Sequence, residues 1–253
     1  LNLDAIYASL SHQIRRPMAL AGYGLNATGI ECTDARLTSA SALAILPPTI
    51  EPDNRPIYQT AFRQWLMGHA LSEALTIFHT WLKTPYHIAT DIAQSKHRLT
   101  LSGAEALRKN FATASLPERL VSLEAQCQMT LSRCPNFHAL LDIRQMLHHG
   151  GIVPSTRPNT ITLQWFSPQP KPLSIEETQA GVPAPIEWIQ QERTVAPGTP
   201  LALTPLELHE IFLSIEHAGA RALQGLATYL VSIGVQRATG QVSTTSDALP
   251  CTT

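Results

Sequence analysis

The stretch Ile143-Arg144-Gln145-Met146-Leu147-His148-His149-Gly150-Gly151-Ile152-Val153 puts an arginine and two histidines on a helical segment that two glycines then stop. Upstream, Phe137, Leu140 and Leu141 recur at helical spacing. At about 100° per residue, Arg144 stands one heptad after Phe137 and His148 one turn beyond, so both fall on that apolar stripe. An arginine on such a stripe is costly unless it is paired or faces a cleft or a second subunit. Arginine and histidine near a helix C-terminus also complement its exposed carbonyls and dipole, so a purely structural role stays open at this point.

Working outward, most of the chain reads as helix. Residues 3–16 carry Leu3, Ile6, Tyr7, Leu10 and Ile14 on one side, with Pro17 expected near the end. Gly22, Gly24, Gly29, Pro47, Pro48 and Pro52 make residues 21–54 an irregular connection. Residues 57–83 form the strongest helix, with an apolar face running from Tyr58, Phe62 and Trp65 to Leu75, Phe78 and Leu82. Pro85 ends or kinks it, and a continuation is expected from Tyr86 to about Lys96. Capping boxes are expected at Ser102–Glu105, Ser115–Glu118 and Thr204–Glu207, the last with Pro205 at the first helical position and Leu203 packing on Leu208. Pro135 suits the first turn of the helix that carries Arg144. In the last helix, Ala218, Gly219, Ala220, Ala222 and Gly225 permit close helix approach.

Nine of the nineteen prolines lie between Ile152 and Leu203, which excludes a helix there. Residues 160–166 alternate, with Ile161, Leu163 and Trp165 on one side, and 186–195 is a second strand candidate. The expected fold is therefore mainly α: one domain over 1–237, an antiparallel helical bundle with a small proline-rich β-hairpin inserted before the last helix. Its parts are 1–54 (first helix and connection), 55–151 (core helices), 152–203 (hairpin or flap) and 204–237 (last helix). The Ser/Thr-rich 238–253 is expected to be a disordered tail.

Composition narrows the function. At 44% hydrophobic and 15% charged residues the chain can bury a real core. A formal charge of −1 gives no global basic signature, so any nucleic-acid contact must come from a local patch. Arg98, Arg108, Lys109, Arg119 and Arg133 make the middle third locally basic, as either a solvated face or a phosphate-tracking surface. Cys32, Cys127, Cys134 and Cys251 show neither a CxxC pair nor zinc-ligand spacing, which fits reduced intracellular thiols and no metal. No leader-like segment and no apolar run of about 18 residues is visible, so a cytoplasmic protein with no membrane contact is expected. Walker, GxSxG and HExxH motifs are absent.

Arg144 and His149, with four residues between them, running into a Gly-containing segment with Ile and Val, resemble the signature of the HEPN superfamily (higher eukaryotes and prokaryotes nucleotide-binding). Spacing from the arginine selects His149; counting back from the glycines selects His148. The resemblance implies a HEPN-like helical bundle and a metal-independent endoribonuclease needing no cofactor, of the kind found as toxins in toxin–antitoxin or defence systems. Its substrate is RNA, with an antitoxin protein as a possible partner. It further implies a homodimer whose composite site would explain an arginine on an apolar stripe. Arg144 would stabilise charge, and His149 or His148 would move protons. Gln145 stands where the family usually has Asn, Asp or His. That departure keeps open a catalytically inactive HEPN-like module that binds a nucleotide or a protein partner. His69 and Glu73, one helical turn apart, are candidates to support the site by orienting the histidine or holding Arg144, or else an ordinary surface pair.

Overall fold

The longest helices form where apolar residues recur three and four apart for six turns or more, and these helices frame the molecule. The computed structural model describes residues 1–27, 55–131, 133–148, 160–174, 181, 183–199 and 201–235. Among them the elements run α1 (Leu3–Ala27), α2 (Arg55–Trp81), α3 (Lys83–Ser95), α4 (Leu101–Thr113), α5 (Leu116–Cys127), α6 (Phe137–His148), β1 (Ile161–Pro170), β2 (Ile186–Val195) and α7 (Pro205–Ser232). The fold is mainly helical with one two-stranded antiparallel sheet.

Helix α1 pairs antiparallel with α2. The Trp81 indole donates to the Ile6 carbonyl at 3.1 Å, Arg16 meets Glu73 at 3.8 Å, and Gly24 lies so close to Leu66 that a Cβ there would collide with it. The sequence reading ended α1 near Pro17, but the helix continues to Ala27 with Pro17 buried inside it. Proline removes one backbone donor and disfavours a helix interior; here the flanking turns are held by packing against α2 and α7. The apolar face expected along the whole of α2 is buried only from Met67 onward. Ile57, Tyr58, Phe62 and Trp65 stand exposed.

Helix α7 is the central element and packs against α1, α2, α3, α5 and β1. Its Ile211, Phe212, Ile215, Ala218, Ala222 and Leu226 are fully buried. Burying each of the large ones stabilises the fold by about 1.5–3 kcal/mol. Its start is defined as the sequence suggested: Glu207 accepts from the Thr204 backbone at 2.7 Å, and Thr204 Oγ1 accepts from the Glu207 backbone at 3.1 Å. Arg193 Nη1 of β2 donates to both oxygens of the same carboxylate and to the Ala202 carbonyl, each at 2.9 Å, which ties the hairpin to this helix end. Gly219 sits against Leu10 of α1 and Gly225 against Met129, the close approaches that the small residues allow.

The hairpin pairs Ile161 with Val195 through Pro170 with Ile186, and Ile161, Leu163 and Trp165 face the core as expected. The outer edge of β1 is occupied. Asn136 donates to the Gln164 carbonyl at 3.0 Å, and the Phe166 amide donates to Ser214 of α7 at 3.0 Å. Trp165 also donates to Glu210 at 2.8 Å. A two-stranded ribbon is marginal alone, so these ties to helices hold it in place.

Two local readings change. Thr100, not Ser102, caps α4 by accepting from Gly103 at 3.1 Å. Arg119, expected on a basic surface, is 2% exposed. It donates to the carbonyls of Ala114, His79 and Ala112 at 3.2, 2.6 and 2.8 Å, and lies over the Phe111 ring. These carbonyls belong to the C-terminal ends of α2 and α4, where helix dipoles place partial negative charge. The backbone, with no carboxylate, therefore compensates this buried charge.

Candidate functional site

Helix α6 carries the predicted site, and its direction decides where the site lies. Asn136 caps it, accepting from the Ala139 amide at 3.2 Å, so Pro135 stands just before the cap and outside the first turn. Phe137 then stacks on Phe78 at 5.2 Å, near the C-terminal end of α2. From there α6 packs along α2, with little or no contact with α3. It must therefore run antiparallel to α2, back toward Met67. A helix of this length spans about 18 Å, which brings Arg144 and His148 level with the first buried turns of α2.

The buried face of α6 is Phe137, Ala139, Leu140, Ile143, Met146 and Leu147. It is turned on α2, β1 and α5 of the same chain, not on a second subunit. Arg144 lies at the margin of this face, beside half-buried Leu141. It has no hydrogen bond or ion pair to another described residue. Gln145 is exposed. The helix ends at His148; the side chain of His148, all of His149 and the glycines that follow lie outside the described residues.

The proposed supporting pair is engaged elsewhere. Glu73 faces Arg16, and His69 donates from Nδ1 to the Trp65 carbonyl one turn back at 3.0 Å, its ring 4.0 Å from the Trp65 ring. Arg16, a sequence neighbour of Pro17, had given no signal as a partner of Glu73. The antiparallel α1–α2 register creates the pair. In the middle third, Arg108 is held by Asp91 and Gln94, and Arg119 is buried. The expected phosphate-tracking surface there is reduced accordingly.

Among the described residues, no cluster of three or more His, Cys, Asp or Glu is placed to hold a metal ion. Cys127 and Cys134 are free, and burial pushes both thiols up to about 12, so neither supplies a thiolate near neutral pH. His217 stacks on Trp188 at 4.0 Å with its Nε2 buried and unpartnered. Burial first, then the charges of Arg221 and Arg133, lower its pKa to about 4. It stays neutral at pH 7. Among the described residues no helix is long and apolar enough to cross a membrane. Compared with protein-family models, curated proteins and solved structures, the chain matches none.

Proposed function

We propose that the protein is a metal-independent endoribonuclease of the HEPN type. The observation that carries this reading is Arg144: a half-buried arginine whose side chain makes no hydrogen bond or ion pair with a described residue, one turn before the end of the helix that leads into His148 and His149. A charge kept near an apolar face without a neutralising partner is costly, and such costs concentrate at functional sites. The mainly helical fold is consistent with the reading.

The chemistry suits these residue types. A histidine removes the proton of a ribose 2′-hydroxyl, whose oxygen attacks the adjacent phosphorus. The 5′-oxygen leaves with a proton, and the product strand carries a 2′,3′-cyclic phosphate. Arg144 stabilises the negative charge gathered on the pentacoordinate phosphorane. The homodimer, the composite site, the antitoxin and a toxin role follow from the same reading. The inner face of α6 is already covered within the chain, so a second subunit would meet the outer margin where Arg144 and Gln145 lie.

A second reading, a HEPN-like module without turnover, is favoured by the engagement of Glu73 with Arg16 and by Gln145 in the position after the arginine. Incubating the protein with RNA and DNA of one sequence separates the two. The ribonuclease leaves DNA intact and gives RNA fragments ending in cyclic phosphate. An inactive module cuts neither.

A further inference from the structure

Helix α7 presents a polar stripe to the hairpin. Glu210, Ser214, His217 and Arg221 follow at intervals of four, three and four residues, which keeps them on one side of the helix. The hairpin is seated on three of them. Trp165 donates to Glu210, the Phe166 amide donates to Ser214, and the Trp188 ring lies on the His217 ring, with 4.0 Å between centres and 22° between planes. The two ends of the ribbon are held differently. At its base Ile161, Leu163, Trp165 and Val195 are buried in the core. Toward its outer end Gln169, Pro170, Ile186, Glu187, Ile189 and Gln190 are exposed. Among the described residues β2 packs extensively on β1 alone, and the Trp188–His217 stack fastens its outer end to α7. A free two-stranded ribbon is marginal in water, so the order of that end depends on the stack.

The seat itself is titratable. His217 Nε2 is buried and finds no hydrogen-bond partner among the described residues. The charges that act on the ring are those of Arg221, one turn along α7, and Arg133, in the turn before α6; both are positive. The carboxylates of the neighbourhood are turned elsewhere: Glu210 to Trp165, Glu216 to Tyr7 of α1, and Glu124 to the Leu131 amide. Glu187, beside Trp188 in sequence, points to the opposite face of β2. Cys134, next to Arg133, stays a neutral thiol because burial pushes it up to about 12. A proton on the imidazole therefore meets two like charges, lost hydration and no acceptor. The attraction of a cation to the Trp188 face works the other way, but it is smaller than the cost of an unsolvated charge. Lifting the outer end lets water reach the ring and removes that cost.

We infer that the outer end of the hairpin, Phe166–Pro170 with Ile186–Gln190, is an acid-opened flap latched by Trp188 on neutral His217. Protonation of the ring releases the latch, the outer ribbon frays, and loss of the proton closes it again. The base stays in place, because its side chains are held by the core and by the Arg193–Glu207 pair. The latch is independent of the ribonuclease reading.

Amide hydrogen exchange of the full chain, followed by mass spectrometry at pH 7 and pH 5 and corrected for the intrinsic effect of pH, reads the opening. His217 has its ordinary pKa of 6.5 with the flap open and a lower one with it latched, so acid favours the open form. Discounted for partial exposure, protection of the outer end should fall about ten-fold from pH 7 to pH 5, while the amides of α7 and of Ile161–Trp165 keep theirs. His217→Phe keeps a ring under Trp188 and has no proton to take up, so its outer end should be equally protected at both pH values. Trp188→Ala removes the latch, and its outer end should already exchange fast at pH 7. Unchanged protection in the wild type, a fall of the same size in His217→Phe, or full protection in Trp188→Ala at pH 7 would each overturn the proposal. So would a loss that spreads through α7, since the whole chain would then be unfolding and not a flap.

Discussion

Replacing Arg119 by alanine tests how the interior of this fold compensates a charge. The wild-type guanidinium gives three hydrogen bonds to main-chain carbonyls at the ends of α2 and α4, and its Cζ lies over the Phe111 ring, 5.1 Å from the ring centre. Hydrogen bonds from a charged donor contribute about 1.5–3 kcal/mol each. Keeping a guanidinium out of water costs several kcal/mol and offsets most of that sum. Loss of the stem's methylenes adds about 2 kcal/mol of lost burial. The Ala114 carbonyl keeps a donor, since His79 Nε2 also reaches it at 3.1 Å. The net expectation is a loss of about 3 kcal/mol, or roughly 6–12 °C in Tm for a chain of this size. Arg119→Met keeps the stem and should lose about 1 kcal/mol, because only the carbonyl contacts and the guanidinium's contact with the Phe111 ring go. Urea and thermal unfolding followed by circular dichroism give both numbers. A fall in Tm under about 2 °C for Arg119→Ala would refute the reasoning, because the lost stem burial alone should lower Tm by about 4–8 °C, and an unchanged Tm for Arg119→Met would mean that the carbonyl contacts merely repay desolvation.

Two further outcomes are expected. The pKa of His217 is lowered from 6.5 to about 4, so its folded form is neutral; the stability it contributes is present above pH 6.5 and is lost as pH falls toward 4, where the unfolded chain takes up the proton first. Discounted for partial exposure, this amounts to about 1–2 kcal/mol, and urea midpoints at pH 7 and 4.5 should fall further for the wild type than for His217→Gln; equal falls would contradict the assignment. Gly219→Ala should destabilise by about 1 kcal/mol, because overpacking against buried Leu10 outweighs the gain in helix propensity. Gly22→Ala, with open space around it, should stabilise by about 0.5–1 kcal/mol, and reversal of this pair in thermal unfolding would refute the close approach of α7 to α1.

Local chemistry was largely legible in the sequence where a residue's partner lies within a few positions, although the helix starts at Thr100 and Asn136 fell two residues or one from where Ser102 and Pro135 had suggested. The Thr204–Glu207 box, the alternation of β1 and the break near Pro85 all have short-range causes, and each appears as expected. Readings that depended on distant partners were not legible. Arg119 looked like one cation among several, because its partners are backbone carbonyls, one of them forty residues away, with no carboxylate to announce the pairing. Pro17 suggested a helix end, and only packing against α2 and α7 shows why the helix continues. The apolar periodicity of α2 does not distinguish its covered half from its exposed half, since coverage is set by elements distant in sequence that pack against it. At the site, Arg144 stands at the margin of the apolar face, which its heptad spacing from Phe137 had placed inside the stripe. His69 and Glu73 were found as a pair, yet the α1 register turns Glu73 to Arg16.

The central claim is that Arg144 serves RNA cleavage and not the fold. Wild type and Arg144→Ala should be incubated with RNA in EDTA, with product ends mapped and unfolding midpoints compared. The account predicts cyclic-phosphate ends from the wild type, and at least a hundred-fold less cleavage by the variant, in the range of about 10²–10³ for loss of one charge-stabilising donor, with unfolding midpoints that agree. Equal cleavage by both proteins, or a variant that loses activity only because it unfolds, would contradict it.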